Sequence, residues 1–379
     1  MARRRSASRV PFRTLGDLER AAERRAKPDV WGYIAGGAGA ERTVAANRAA
    51  LDRWALVPRV LRRLGAVELA TSFLGQEVAA PFFVAPTAYH RQVHPGGERA
   101  TARAAGRLGI LGVYSTLSSD ALEAIASAAG AAPRWFQLYL QPEFRASVEL
   151  LRRAERAGYS AVVVTVDAPV LGSRDRQGRS GFAVARSIRV GNGPAVASPP
   201  RSPPWSGGRY ALDRAPDESW QTLERLGRAT SLPLVVKGIL GPEDARQAVR
   251  RGARGVLVSN HGGRQLDRAA ASLEALPEVV AAVGARAEVY VDGGFRRGSD
   301  LLVALALGAR GVGLGRPILW ALAAGGSAGV DRYLRLLGGE LANALLLLGR
   351  SSVREVRRED VRPVPGRVPA VARRPPGRA

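Results

Sequence analysis

Residues 259–267, SNHGGRQLD, contain one of the three histidines of the chain, at the end of an apolar run, with an arginine three positions later. An imidazole can accept the proton of a substrate hydroxyl, and a guanidinium can hold a carboxylate in a bidentate fork. His261 and Arg264 are therefore suited to bind and deprotonate a 2-hydroxy acid. A helix N-terminus with incidental polar residues fits the same nine residues, so the rest of the chain must decide between the two.

Polar residues also follow other apolar runs that are predicted to be strands. In a barrel of parallel strands, functional side chains collect where the strands end in the following loops. Each has an ordinary structural alternative, such as a helix cap for Asp167 or a surface charge for Lys237, but their shared position favours one site. Lys237 stands out because the chain has only two lysines among 57 basic residues. The strand-end residues are Gln137, Tyr139, Thr165, Asp167, Lys237, His261, Asp292, Gly315 and Arg316.

The last two strand ends carry glycines and arginines, in residues 292–298 (DGGFRRG) and 313–317 (GLGRP). Backbone amides and arginines in these two loops commonly bind a phosphate group in such barrels. We therefore expect an organic phosphate, as cofactor or substrate. No metal site is expected, since His90 and His94 lie four residues apart but lack a third ligand nearby.

The elements that must position these residues form a regular alternation. Short apolar runs rich in β-branched residues alternate with helical patterns that end in glycine. This pattern predicts an α/β fold with parallel strands, and eight strands fit a closed (β/α)8 TIM barrel, with an open doubly wound sheet as the alternative. The predicted strands lie in residues 81–86, 110–115, 134–139, 161–167, 233–238, 254–260, 288–294 and 310–315.

Two segments depart from the alternation. Residues 12–60 are predicted to form an N-terminal helical extension, with helices at 19–25 and 38–54. Residues 172–218, after the fourth strand, are rich in Gly, Ser, Pro and Arg without a sustained period, and are predicted to be a flexible lid loop. We expect one domain over residues 12–365.

Composition narrows the possible functions. The chain has 379 residues and no cysteine, which excludes disulfides, thiolate metal sites and a cysteine nucleophile, and is compatible with a cytoplasmic location. Its net charge of +24 would ordinarily suggest nucleic acid or an anionic membrane. The arginines are spread over the whole length, however, as compositional bias would produce, so we expect no nucleic-acid partner. A basic RNA- or anion-binding barrel remains the alternative function.

The two ends, residues 1–11 and 366–379, are the places where basic residues form runs, and both are predicted to be disordered tails. The first residues lack the apolar core of a secretory signal. No apolar run reaches 18 residues, and residues 341–349 are too short to span a bilayer. We therefore expect no membrane partner.

The chain resembles the FMN-dependent 2-hydroxy acid oxidase and dehydrogenase family from about Tyr33 to about Arg350. The motifs that carry the resemblance occur in the family's order: YIAGGAGAERT, APTA, HPGGE, TLSS, FQLY, TVDAPVLGSRDR, LVVKG, SNHGGRQLD, DGGFRRG and GLGRP. The resemblance implies FMN as cofactor and oxidation of a mandelate- or lactate-like L-2-hydroxy acid to the 2-oxo acid, with the Cα hydrogen passing to flavin N5. Reoxidation by O2, which the small Ala88 favours, would make an oxidase; another acceptor would make a dehydrogenase. Family members often form tetramers, so a homo-oligomer is expected.

The resemblance also implies a role for each motif residue. His261 would be the base, Asp167 would stabilise its imidazolium, and Tyr139 would hydrogen-bond near the reacting hydroxyl. The substrate carboxylate would be held by Tyr33, Arg174 and Arg264. FMN would be bound by Pro86, Thr87, Ala88, Ser118, Gln137, Thr165, Lys237, Ser259, Asp292, Gly293, Gly294, Arg296, Gly315 and Arg316.

Within that set, Lys237 would lie at the N1 and O2 edge of the flavin and stabilise its reduced anionic ring. Gln137, Thr165 and Ser118 would contact the polar edge, and the backbone of residues 86–88 would line the other face. Asp292 suits a ribityl hydroxyl. The residues suited to the phosphate are Gly294, Arg296, Gly315 and Arg316.

The pocket departs from glycolate oxidase at Asp120, where that enzyme has a tryptophan. We expect Asp120 to point away from the pocket as the N-cap of a helix beginning at Ala121. Leu171 and Tyr89 are expected to keep the pocket partly apolar, which favours a substrate larger than glycolate. The lid is unlike the family's and its sequence predicts no contacts.

Overall fold

Eight parallel strands form a closed barrel in the computed structural model, which describes residues 10–185, 187–193 and 219–365. The last strand pairs with the first, with Val312 opposite Phe82, and this pairing closes the ring. The TIM barrel is therefore confirmed over the open sheet, and every strand overlaps its predicted run. The strands are β1 (Phe82–Val84), β2 (Gly112–Ser115), β3 (Arg134–Leu138), β4 (Val162–Thr165), β5 (Leu234–Ile239), β6 (Gly255–Val258), β7 (Glu288–Asp292) and β8 (Gly311–Leu314).

The strand residues are buried on both faces, as near-continuous apolar runs require. In β4, Val163 packs inside the barrel, whereas Val162 and Val164 pack outside against the helices. The lower end of the barrel interior is filled by aromatic rings, and Phe73 lies 5.3 Å from Tyr290 between ring centres. This packing leaves the opposite end, where the strands run into their following loops, available for a site.

Helices precede the barrel and surround it. None of the described helices is long and apolar enough to cross a membrane. The longest contains a kink at Gly325 and Gly326, where the backbone leaves helical geometry. The α-helices are Leu18–Glu23, Pro28–Ala35, Arg42–Ala49, His90–Val93, Gly97–Arg107, Leu122–Ala129, Phe144–Arg156, Asp175–Arg179, Trp220–Ala229, Pro242–Arg250, Ser272–Val283, Gly298–Ala306 and Arg316–Leu347.

The N-terminal extension is helical, as predicted, but its details differ. The helix Pro28–Ala35 was not predicted, and the second predicted helix is shortened to Arg42–Ala49. Its predicted start fails because Gly39 and Glu41 adopt positive φ and turn the chain. Its predicted end fails because residues 54–56 form a strand that pairs with residues 361–363.

The predicted lid is partly described. Residues 175–179 form a short helix, and the chain is described to residue 193 except for residue 186. The lid sequence indicated no particular contacts, but the structure shows one at Asn192, which is buried and donates through Nδ2 to the Thr116 carbonyl at 2.8 Å. Residues 186 and 194–218 of the predicted lid lie outside the described residues. Residues 1–9 and 366–379 of the two predicted tails also lie outside them.

Candidate active site

A cavity of about 390 Å³ lies at the ends of the barrel strands. Its wall contains most of the residues predicted from the sequence: Tyr33, Pro86, Thr87, Ala88, Tyr139, Arg174, Lys237, His261, Arg264, Asp292, Gly293, Gly294, Arg296, Gly315 and Arg316. Four other predicted residues hydrogen-bond to this wall from behind: Ser118, Gln137, Asp167 and Ser259. The fifth, Thr165, hydrogen-bonds to Gln137. The loops after the strands thus bring the predicted residues together.

His261 lies between a carboxylate and a phenol. Its Nδ1 is 3.0 Å from Oδ1 of Asp167, and its Nε2 is 3.3 Å from the hydroxyl of Tyr139. The residue has a φ of 58°, and its backbone N–H donates to Ser259 Oγ, which fixes the turn. Because a carboxylate accepts a hydrogen bond from Nδ1–H, the Nε2 lone pair is left to accept a proton from the cavity.

The electrostatics of this group favour a neutral base. Burial lowers the pKa of His261 below its usual value, Lys237 adds to this effect, and Asp167 opposes it. Burial by itself would raise the pKa of Asp167, but attraction from His261 and Lys237 outweighs it, and the pKa is lowered. Burial raises the pKa of Tyr139, so its phenol stays a hydrogen-bond donor. At neutral pH an unprotonated imidazole therefore faces the cavity with an ionised carboxylate behind it.

Two arginines face the same part of the cavity. Arg264 donates through Nη1 to the carbonyls of Tyr33 at 2.7 Å and Gly36 at 2.8 Å, and its guanidinium lies over the Tyr33 ring. Burial, with the nearby charge of Arg174, lowers the pKa of Arg264 to about 9. Neither arginine has a carboxylate partner among the described residues. A bound anion would supply the missing negative charge.

One wall of the cavity is a fixed polar network around a buried cation. Lys237, 3% exposed, donates through Nζ to Ser259 Oγ at 2.9 Å, and this hydroxyl donates to Asp292 at 2.6 Å. Nearby, Gln137 donates to Thr165 Oγ1 at 3.0 Å. The network places one positive charge and several hydrogen-bonding groups against a ligand.

Ser115 belongs to the same wall and was not predicted. It is the last residue of β2, lines the cavity, and donates to Gln137 Oε1 at 2.8 Å. The strand-end argument applied to the run 110–115 would have found it. The predicted flavin contact Ser118 instead directs its hydroxyl to the Ser115 carbonyl and does not line the cavity.

The far end of the cavity has the features of a phosphate site. Gly293 and Gly294 have positive φ of 103° and 93°, and Gly315 precedes the N-terminus of the helix Arg316–Leu347. The Nε of Arg316 is buried without a hydrogen-bond partner among the described residues. The backbone amides of a glycine turn, a helix N-terminus and an unpaired guanidinium N–H together suit an anion.

The chemistry of these regions fits FMN. The phosphate end would take the phosphate, Asp292 a ribityl hydroxyl, and the Lys237 wall the polar edge of the ring. The segment 86–88 would line the opposite face, since all three of its residues lie on the cavity wall. His261 and the two arginines remain free for the substrate.

The predicted N-cap role of Asp120 is wrong. Ala121 is the N-cap residue of the helix Leu122–Ala129, and the Leu122 N–H donates to Asn192 Oδ1 at 3.0 Å. The Asp120 carboxylate, 4% exposed, pairs with Arg91 at 2.6 Å and is not on the cavity wall. Because the side chain of the lid residue Asn192 accepts the first N–H of this helix, the Asp120 carboxylate can pair with Arg91.

The remaining pocket residues are placed as follows. Leu171 and Tyr89 line the cavity, joined by Phe182, which stacks on Tyr33 with ring centres 4.3 Å apart. Phe182 belongs to the lid, whose aperiodic sequence gave no signal for it. His90 is buried in a short helix, and its Nε2 lies 2.6 Å from Thr87 Oγ1.

Gly294→Ala is expected to weaken FMN binding by about tenfold or more, because the new side chain strains the backbone at positive φ. A Cβ there would also lie 2.7 Å from the Asn47 carbonyl oxygen. Gly252→Ala is a matched control, since Gly252 has a φ of 90° with no atom within 4 Å of the added Cβ. Fluorescence titration of FMN should give a raised Kd for Gly294→Ala and an unchanged one for Gly252→Ala. Equal values for both variants would contradict the phosphate-site assignment.

Comparison with known proteins agrees with this site. The family described as FMN-dependent dehydrogenase matches residues 22–363. The chain is 46% identical to 4-hydroxymandelate oxidase of Amycolatopsis orientalis, covering 92% of this chain and 98% of that one. It is 44% identical to L-lactate oxidase of Nostoc sp., covering 90% and 96%. The crystal structure of mandelate oxidase with benzoyl-formic acid superimposes with a TM-score of 0.83 at 45% identity, covering 92% of this chain and 97% of that one.

The family match covers the whole barrel and every residue that lines the cavity. The expected cofactor and reaction class are thereby confirmed: the protein uses FMN to oxidise 2-hydroxy acids. The chain belongs to the FMN-dependent 2-hydroxy acid oxidase family.

Proposed function

We propose that the protein oxidises an L-2-hydroxy acid with a large apolar substituent, of the mandelate type, to its 2-oxo acid, with O2 as the electron acceptor. The observation that carries the proposal is the placement of His261 Nε2 in the same cavity as Arg174 and Arg264. A proton acceptor and a carboxylate clamp are the two groups that such a substrate requires.

In the proposed reaction the two arginines hold the substrate carboxylate and thereby orient its hydroxyl toward His261. The hydroxyl proton passes to Nε2, and the Asp167 carboxylate, 3.0 Å from Nδ1, stabilises the imidazolium that forms. The Tyr139 phenol donates a hydrogen bond near the same oxygen. Bound FMN supplies the acceptor for the Cα hydrogen and its two electrons, which O2 finally takes up to give hydrogen peroxide.

The proposed substituent follows from the apolar side of the cavity. This side is formed by the side chains of Ala88, Tyr89, Leu171, Phe182, Ala183 and Val184. A phenyl group would bury its surface against them, whereas a substrate with no side chain would leave them in water. The relatives that act on 4-hydroxymandelate and on mandelate support this assignment, and the L-lactate oxidases define the smaller alternative.

The test is a comparison of kcat/KM for (S)-mandelate, (R)-mandelate, L-lactate and glycolate. Turnover is measured by oxygen consumption and by the formation of hydrogen peroxide. We expect (S)-mandelate to be preferred over lactate, and lactate over glycolate, with one peroxide formed per oxo acid. A phenyl in place of a methyl should be worth about tenfold or more. A preference for glycolate would contradict the proposed substituent. Turnover with a dye but not with O2 would contradict the proposed acceptor.

A homo-oligomer, tetrameric as the family resemblance implies, is also part of the proposal. The exposed apolar side chains of Val60 (80%) and Leu61 (102%) support contact with a second copy. Size-exclusion chromatography with light scattering would measure the mass directly.

The cytoplasm is the proposed compartment, and the cysteine-free sequence is compatible with it.

A further inference from the structure

Two arginines from different strand ends share one carbonyl oxygen. The Gly36 oxygen accepts a hydrogen bond from Arg264 Nη1 at 2.8 Å and another from Arg316 Nη2 at 2.7 Å. Gly36 ends the helix Pro28–Ala35, where carbonyl groups lack intrahelical partners. The negative end of this helix therefore holds together two cations that would otherwise repel each other.

Arg316 makes a second contact of the same kind. Its Nη1 donates to the Gly262 carbonyl at 2.7 Å, directly after the base His261. The two loops that it joins are also closely packed, since the Ala38 N–H donates to the Gly263 carbonyl at 2.8 Å. One guanidinium thus connects the turn that carries the base with the helix end that supports Arg264.

The two arginines at the phosphate end are held differently. Both terminal nitrogens of Arg316 are directed at main-chain oxygens of the substrate side, which leaves its buried Nε for an anion. Arg296 instead pairs with Glu19 at 2.7 Å and lies over the Trp320 ring. Arg316 therefore connects the phosphate end with the substrate side of the cavity, whereas these contacts of Arg296 do not.

We propose that Arg316 is a positioning residue for the substrate as well as a cofactor ligand: through Gly36 and Gly262 it fixes Arg264 and the His261 turn, and so couples cofactor binding to substrate binding. The inference rests on the proposed assignment of Arg264 to the substrate carboxylate. Lysine at position 316 would keep the charge, but an ammonium cannot reproduce the planar fork that spans both carbonyls.

The test variant is Arg316→Lys, studied at saturating FMN. The ligand is oxalate, a small dicarboxylate whose binding does not depend on the substrate's substituent, and its Kd is read from the flavin absorbance. We expect the oxalate Kd and the hydroxy acid KM to rise about tenfold, with kcat falling by only about threefold, because the charge-assisted hydrogen bonds to the Gly36 and Gly262 carbonyls can no longer both form. FMN affinity, measured separately by fluorescence, should fall in the same variant.

Arg332→Lys is the matched control. Arg332 lies beyond the kink of the helix Arg316–Leu347 and also donates to a carbonyl, that of Phe12 at 2.8 Å, but it does not line the cavity. Its substitution should leave the oxalate Kd unchanged. Arg296→Lys provides the contrast, since it is expected to raise the FMN Kd without the matching increase in oxalate Kd.

An unchanged oxalate Kd and KM in Arg316→Lys would overturn the inference. Should that variant retain no FMN, Gly37→Ala tests the same connection from the other loop. The new Cβ would clash with the Val44 side chain and lie 2.8 Å from the Gly263 oxygen, so it should push the two loops apart while both arginines remain. The same increase in oxalate Kd is expected there, and an unchanged value overturns the inference. Failure of the carboxylate assignment itself would be seen in the wild-type protein, which would then not bind oxalate.

Discussion

His261→Ala is expected to retain FMN but to lose reduction of the flavin by substrate, with the rate falling about 10²- to 10⁴-fold. The imidazole is the group whose Nε2 faces the cavity unprotonated, and alanine cannot accept the hydroxyl proton. The contacts of the phosphate end and of Lys237 do not involve the ring, so the cofactor should remain bound. Stopped-flow absorbance under anaerobic conditions measures the reduction rate directly.

His94→Asn is the control for this prediction. His94 accepts the Gly96 N–H through Nδ1 at 3.0 Å, and asparagine can accept the same bond. Its reduction rate should match the wild type. If His261→Ala lost FMN but, once reconstituted, was reduced at the wild-type rate, the assignment of His261 as the base would be wrong.

Asp167→Asn is expected to lower kcat by about 10²-fold or more, because the neutral amide cannot stabilise an imidazolium and removes the carboxylate that selects the Nδ1–H tautomer. Binding of oxalate should change much less, since Asp167 contacts His261 and not Arg174 or Arg264. Steady-state rates and an oxalate titration on the same preparation separate the two effects. An equal loss in kcat and in oxalate affinity would point to a collapsed site.

The pH profile gives an independent check with a defined sign. Burial lowers the pKa of His261 below its usual value of 6.5, so kcat/KM of the wild type should stay level at neutral pH and fall only as the pH drops through that lowered pKa. Asp167 raises the pKa of His261, so the acid limb in Asp167→Asn should move to still lower pH. An acid limb that moves to higher pH in the variant would contradict this electrostatic account.

The barrel could be predicted because its strands are buried on both faces and therefore appear as short apolar runs separated by glycine-capped helices. The hairpin of residues 71–73 and 76–78 could not. Its two-residue turn has positive φ at Leu74 and Gly75. Leucine rarely adopts positive φ, so the sequence does not predict this turn. The pairing of residues 54–56 with 361–363 joins segments about 300 residues apart, and neither segment alone indicates it.

The site could be predicted to the extent that its residues follow strands. Strand ends placed Tyr139, Asp167 and His261 on one face, and the structure brings their side chains into contact. The errors concern long-range partners. Asp120 is of a residue type that is typical of an N-cap, but the first N–H of the helix donates to Asn192 instead. The sequence near residue 120 does not indicate this partner. Asn47 lines the cavity from the N-terminal extension, where helical periodicity alone gave no reason to select it.

The most direct test of the proposed chemistry is an anaerobic titration of the purified holoenzyme with (S)-mandelate. Each equivalent should bleach the yellow absorbance of one bound FMN and yield one benzoylformate, and admission of O2 should restore the colour with formation of hydrogen peroxide. The same titration with His261→Ala should leave the flavin oxidised over the time in which the wild-type flavin is fully reduced. A wild-type holoenzyme that stays yellow with mandelate, lactate and glycolate alike would contradict the account.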